Sequence, residues 1–381
     1  MDRRTWLLVG VLVSGCSSSS ATPPPDAGAD AATAGDAGGK PCERPGLPVP
    51  ADPGAKGPWA VGAKTVTVGG LVHEVWYPSA PGTAGANKVY DLRDQLSPED
   101  AAKIPPEKAP KQVCDCFEGL PIDAAHGPYP TIVFFHGTAG FRTQSLSQMT
   151  HWASRGFIVV ATDHPKLKLA DALQLDVSFN ADFGANSNVL LDAIAARAAE
   201  VSFLGTSADL GKLGAVGHSA GGGAAARFTR AGIRVRIPMA AGGTTASPDL
   251  VSTLVLSAER DTVVVPKSQA DGFASSPKSK RFAVLARAGH LAFSDICETG
   301  KENGGLLNIA KDAGIFVPDL LLRLGTDGCG ADDLPPADAH KAVSALTTFV
   351  LENALSCGPS TGFADVTKNL GPILGTVSEE L

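Results

Sequence analysis

The sequence predicts an α/β fold, a mostly parallel sheet with helices on both faces, on three observations. Short runs such as TIVFF (131–135) and FIVVA (157–161) are apolar at almost every position. A strand apolar on both sides belongs in a sheet covered on both faces. Between such runs, apolar residues recur at helical spacing. The chain also enters through two β-rich stretches, Lys64 to Val68 and Leu71 to Tyr77, joined by Gly69-Gly70, which suits a two-residue hairpin turn.

The remaining elements follow in order. Further apolar runs predict strands at Leu213 to Gly217, Val235 to Met239, Thr253 to Ser257 and Phe282 to Ala286. Helical stripes cover Asn188 to Leu204, through Leu190, Leu191, Ile194, Ala198 and Val201, and Ala339 to Leu355, through Val343, Leu346, Val350 and Ala354. Strand and helix alternate without an internal repeat, which implies one open-sheet domain over residues 57–358, with 359–381 as a tail.

With 44% hydrophobic residues the 381-residue chain can bury a large core. A net charge of -7 argues against general nucleic-acid binding, which needs clustered Lys and Arg. The 43 glycines and 28 prolines exceed average usage, and many of them fall before residue 58. The stretch SSSSATPPPDAGADAATAGDAGGK offers no large apolar side chain to repay the entropy of ordering, so residues 16–56 read as a solvated tether.

Residues 1–15 combine Arg3 and Arg4 with a short apolar run from Trp6 to Val13, a secretory signal pattern too short to span a bilayer. The ending Val13-Ser14-Gly15-Cys16 resembles the lipobox of bacterial lipoproteins. That resemblance implies cleavage before Cys16, lipid attachment to it, and anchoring to the bacterial cell envelope. Six cysteines remain after Cys16, an even number that suits disulfides in an exported protein, with fifteen pairings possible. Cys297 with Cys329 is the favoured bridge, and Cys114 and Cys116 are expected to pair outward rather than with each other. No Cys-x-x-Cys or His pair at ligand spacing points to a metal.

The sharpest chemical signal is Gly217-His218-Ser219-Ala220-Gly221-Gly222, directly after a predicted strand and opening a run of small residues. G-x-S-x-G between strand and helix is the pattern of a nucleophile elbow, where Ser219 projects from a sharp turn. Its hydroxyl needs a base, and the base needs an acid to orient it. Asp261 lies just past the strand Thr253 to Ser257, and His290 just past Phe282 to Ala286, at spacings of 42 and 29 residues. Glu259 is the alternative acid. Asp249 and Asp295 follow no strand directly, and the other histidines read as structural or exposed. Two N–H groups must hold the developing oxyanion: Ala220 supplies one, and Thr138 in the loop Phe135-His136-Gly137-Thr138-Ala139-Gly140 is assigned the other. His136 then shapes that loop without transferring a proton.

These residues carry a resemblance. The chain order Ser219, Asp261, His290 is that of the α/β hydrolases. IVFFHGTAGFRTQ with HWASRGFIVVATDHP, GPWAVG and VWYPSA resemble the platelet-activating-factor acetylhydrolases. With GHSAGGG and LSAERDTVV, the same blocks are similar to cutinase-like polyester hydrolases and dienelactone-hydrolase-like esterases. The resemblance covers roughly residues 57–293 and implies an α/β-hydrolase fold and a serine carboxylic-ester hydrolase, working as a monomer on a small or lipid ester without metal or organic cofactor. A short-acyl lipid ester is the implied substrate. A polyester or lipase substrate, an amide substrate, and a non-catalytic surface lipoprotein are the alternatives. Polyester hydrolases carry an aromatic clamp after the strand that follows the elbow, where this chain has Ala240-Ala241-Gly242-Gly243. Residues 294–338, with Ile315, Phe316, Val317, Leu320, Leu321, Leu322 and Leu324, form an insertion that reads either as an apolar cap or, by default, as a packed extra helix.

Overall fold

The computed structural model describes residues 46–356, 358 and 362–381. Cys16, the signal segment and most of the expected tether lie outside the described residues. One sheet of eleven strands organises the chain: β1 Ala60–Val68, β2 Leu71–Ser79, β3 Asn87–Asp91, β4 Lys111–Glu118, β5 Tyr129–Phe135, β6 Ile158–Thr162, β7 Ala208–His218, β8 Ile233–Met239, β9 Ser252–Ala258, β10 Lys280–Leu285 and β11 Leu374–Glu380. Their spatial order is β11-β10-β9-β8-β7-β5-β6-β2-β1-β4-β3. The stretch from β6 to β10 is parallel throughout. The entry hairpin forms as expected, with Val68 opposite Leu71 across Gly69-Gly70.

Successive residues of the central strands feed different cores. Ile132 and Phe134 of β5 join one apolar cluster with Trp152 and with Leu346 and Val350 of the helix Pro336–Leu355. Val133 and Phe135 join another with Leu190, Leu191 and Ile194 of the helix Phe183–Ala196. Side chains alternate across a strand, so these clusters are the two covered faces that the apolar runs required. The stripe expected over 188–204 breaks in two: Arg197 turns left-handed at φ 54°, and Ala199–Leu204 continues as a 3-10 helix.

The packed chain starts before Gly57. Carbonyls of Pro50, Asp52 and Ala55 accept from the guanidinium of Arg155, which also meets the buried carboxylate of Glu352 at 2.8 Å. A buried guanidinium demands acceptors for its donors, and this segment supplies three. Nor do residues 359–381 form a tail as far as they are described. Phe363–Leu370 is a helix with Phe363, Val366 and Leu370 buried, and β11 pairs antiparallel with β10.

The chain reverses its direction of travel across the sheet between β5 and β7, since β6 lies on one side of β5 and β7 on the other. Parallel sheets place ligands at the carboxyl ends of strands at such a switch point. The loop after β5 and the turn after β7 flank it.

Candidate active site

Ser219 occupies the turn after β7 with φ 57° and ψ −123°. A non-glycine residue holds such a backbone only where its surroundings impose it. Close packing imposes it here: a Cβ on Gly221 would lie 2.2 Å from the Phe135 carbonyl oxygen. The helix Ala220–Ala225 starts at once, so the Ala220 N–H is one of the amides that a helix leaves unpaired at its start.

Asp261 and His290 come together from the ends of β9 and β10. His290 Nδ1 lies 2.9 and 3.1 Å from the two Asp261 carboxylate oxygens, and both side chains are fully buried. A carboxylate only accepts, so Nδ1 carries the proton and donates it. His290 Nε2 is thereby an acceptor, and it is buried without a hydrogen-bond partner among the described residues. Asp261 is further fixed by the amides of Val263 and Val264 and by Gln269 Nε2. Glu259 is exposed, and its carboxylate caps the Arg287 N–H at 2.6 Å. Asp249 accepts from the Gly232 amide, and Asp295 from the amide and hydroxyl of Ser147. None of these three meets the histidine.

The loop after β5 turns on its own hydrogen bonds. Gly137 N–H donates to Gln144 Oε1, Ala139 N–H to the Leu167 carbonyl and Gly140 N–H to the Gly137 carbonyl. Thr138 N–H donates to no acceptor among the described residues, and Thr138 lines the same cavity as Ser219 and His290. His136 is buried, with Nδ1 on the Gly137 carbonyl at 2.7 Å and Nε2 accepting from the His164 amide. It holds the loop, and burial lowers its pKa.

Two positioning groups carried no sequence signal of their own. Gln144 Nε2 donates to His218 Nδ1, and His218 Nε2 then donates to the His290 carbonyl at 2.9 Å. Burial, followed by the nearby His290, pushes the His218 pKa down to about 3, so the ring stays neutral. Gln144 ended a stretch quoted above for its resemblance, and His218 is the variable position of G-x-S-x-G; neither pattern assigns a task.

Ser219 and His290 open into a cavity of about 130 Å³. Its walls include Leu92, Leu96 and Ile104 from the chain after β3, Leu169 and Leu173, and a long apolar set from the insertion, among them Leu306, Ile309, Ile315, Leu321 and Leu324. No Asp, Glu, Lys or Arg lines it. The insertion therefore caps the site, contrary to the default of a packed extra helix. It packs as well: Ile309 and Ile315 cluster with Ile104 and Ala109. Two short helices, Leu306–Asp312 and Asp319–Leu324, and the segment between them carry these side chains.

The bridge Cys297–Cys329 closes this insertion, as expected. Cys114 and Cys116 correct the other expectation, because they bond to each other. Both leave the same face of β4, as strand residues two apart do, and their Cα atoms are 4.9 Å apart, within bridging range. Cys42 and Cys357 lie outside the described residues. No group of three or more metal-ligating side chains occurs among the described residues.

Comparison with known proteins agrees with this architecture. Residues 116–240 match the sequence model of the family described as chlorophyllase. That span runs from the end of β4 past β8 and contains Thr138, Ser219 and Ala220, but neither Asp261 nor His290. No curated protein sequence matches the chain. Among solved structures, a ferulic acid esterase from Streptomyces cinnamoneus matches with a TM-score of 0.53 at 18% identity, over 85% of this chain and 97% of that one; the likeness is one of fold. The chain has an α/β-hydrolase fold, and the family match supports a carboxylic-ester hydrolase.

Proposed function

We propose that the protein hydrolyses small carboxylic esters through an acyl-enzyme on Ser219. The observation that carries this reading is the state of His290: Nδ1 donates to Asp261, and Nε2 is a buried acceptor without a partner in the cavity that Ser219 lines. Such a nitrogen takes a proton. As Ser219 attacks the ester carbonyl, His290 Nε2 accepts the hydroxyl proton and then gives it to the leaving alcohol. Asp261 stabilises the imidazolium without being protonated itself. The N–H groups of Thr138 and Ala220 hold the oxyanion. Water, deprotonated by His290, breaks the acyl-enzyme.

The cavity supports a short aliphatic acyl group. A cavity of about 150 Å³ holds a six-carbon ring, so 130 Å³ of aliphatic wall suits an acyl chain of about four to six carbons. Uncharged walls offer nothing to a charged acyl group, and the aliphatic lining holds no aromatic clamp beyond Phe141 for a polymer strand. This favours short-acyl esters, including lipid esters, over polyester.

The deciding experiment combines a fluorophosphonate probe with a panel of p-nitrophenyl esters of rising acyl length. The parent is labelled and prefers esters with about four to six acyl carbons over longer ones, and Ser219→Ala abolishes both signals. Labelling that survives in Ser219→Ala overturns the nucleophile, and silence in the folded parent returns the surface-binding reading. A matched amide substrate separates esterase from amidase.

The same proposal places the enzyme on the cell envelope through lipid on Cys16, supported by the signal-like segment before it and the tether after it. Radiolabelled palmitate incorporated by the full chain, and lost in Cys16→Ala, is the expected result.

A further inference from the structure

The insertion does more than wall the cavity. Its residue Asp327, two before Cys329, reaches into the base of the site with both carboxylate oxygens engaged. Oδ1 accepts from the His290 amide at 2.6 Å. Oδ2 accepts from the Thr262 amide at 3.0 Å and from the Thr262 hydroxyl. Its carbonyl accepts from the Leu291 amide at 2.9 Å. Thr262 follows Asp261 directly, so one carboxylate spans the backbones of the acid-bearing and the base-bearing loops. The approach is close enough to dictate sequence: a Cβ on Gly289 would stand 2.4 Å from Asp327 Oδ1.

We infer that Asp327 is a positioning residue that sets the Asp261–His290 pair by bridging the backbones on either side of it, so that the cap and the catalytic geometry are mechanically one unit. Bonds from amides to a carboxylate are charge-assisted and stronger than neutral ones. The loops they join carry groups that must hold their mutual geometry closely, where a misplacement of about 1 Å costs up to about 100-fold in rate. Asp327 does not itself line the cavity, so its effect runs through His290 and Asp261. The inference rests on the serine-hydrolase reading above for its kinetic consequence, but not for its geometry.

The test uses Asp327→Asn in the intact chain. The variant keeps the shape of the side chain but sets an NH2 group against either the His290 amide or the two Thr262 donors. The expected result is a fall in kcat of about 10- to 100-fold, a matching fall in the fluorophosphonate labelling rate, and a KM within twofold of the parent. The factor should be the same for acetyl and hexanoyl esters, since the acetyl group is too short to need the cap. A purely structural role for Asp327 would instead lower the melting temperature with kcat kept, and a role in binding would raise KM for hexanoyl alone; either outcome overturns the inference. Proton NMR gives a readout free of turnover. The His290 Nδ1 proton shared with Asp261 resonates far downfield in the parent, and it shifts or exchanges faster in Asp327→Asn. An unchanged resonance with unchanged kcat sinks the inference. A parent that is unlabelled and inactive but shows a resonance sensitive to Asp327 sinks the esterase mechanism instead.

Discussion

Gln144 Nε2 donates to His218 Nδ1 at 2.8 Å, and this bond joins the loop that carries Thr138 to the turn that carries Ser219. The path runs from the Gly137 N–H through Gln144 and His218 to the His290 carbonyl. Every donor in it meets one acceptor, so the loop of Thr138, the turn of Ser219 and His290 share one orientation.

Gln144→Leu removes the centre of that path. It leaves the Gly137 N–H and His218 Nδ1 buried and unpaired, at a cost of about 2 kcal/mol or more. The expected outcome is a lower denaturant midpoint together with a fall in kcat of at least about tenfold, as the Thr138 N–H loses its aim. A variant that is destabilised yet fully active would detach Gln144 from the oxyanion loop's task.

Asp261→Asn and Glu259→Gln separate the two candidate acids. The first should lower kcat by about 10⁴-fold at near-constant KM, because the wrong imidazole tautomer is favoured. The second loses only an exposed cap on Arg287 and should stay within twofold of the parent. Steady-state kinetics on one ester with both purified variants decides it.

Leu307→Trp narrows the cavity from the cap side. Each methylene excluded from an apolar pocket is worth about 1–3 kcal/mol. Hexanoyl ester turnover should therefore fall by about tenfold or more while acetyl ester turnover is kept. Equal losses on both esters would place the acyl chain elsewhere.

Acid should destabilise the fold through its buried histidines. Burial pushes His151 down to about 4, against the opposing bond to the Pro53 carbonyl, and His218 to about 3, each from an ordinary value of 6.5. Between these folded values and 6.5 the unfolded chain binds more protons. Stability is therefore complete above the unfolded value and declines as pH falls below it. Melting temperatures should level off above pH 6.5 and drop towards pH 4, and His151→Gln should flatten the drop. A slope unchanged in His151→Gln would remove that residue from the account.

Opening the Cys297–Cys329 bridge should release the cap first. The bridge closes a loop of 32 residues, worth about 3–4 kcal/mol by chain entropy. Trypsin in the presence of dithiothreitol should cut within 298–328 before it cuts the sheet. Simultaneous loss of both would show that the cap has no stability of its own to lose.

Where apolar pattern decides structure, the sequence was a sound guide. Strands β5 to β10 are largely buried on both faces, so they read as apolar runs, and three of them lead into the loops of Ser219, Asp261 and His290. Elements held by other forces were silent. β4 buries Gln112, Cys114 and Cys116 on one face, and of these three only the cysteines are apolar. β11 is a polar strand secured by Glu379 on Arg281 and Glu380 on Lys280, so its pattern resembles a solvated tail. Asp327 was illegible for a different reason: its partners are backbone amides, which no residue type announces. The insertion's leucines were visible, but their choice between core and cavity depended on where Leu96 and Ile104 had packed.

The bridge across the insertion has a further consequence for how such enzymes diversify. Its two Cα atoms stand 5.2 Å apart, so the 31 residues between them begin and end at nearly one place on the domain. A segment anchored that way is a cassette: its length and lining can be exchanged without moving the strands that carry the chemistry. Specificity can then drift while the reaction stays fixed. Any replacement cassette must still present an acceptor where Asp327 stands, or the amides of His290 and Thr262 lose the partner they share.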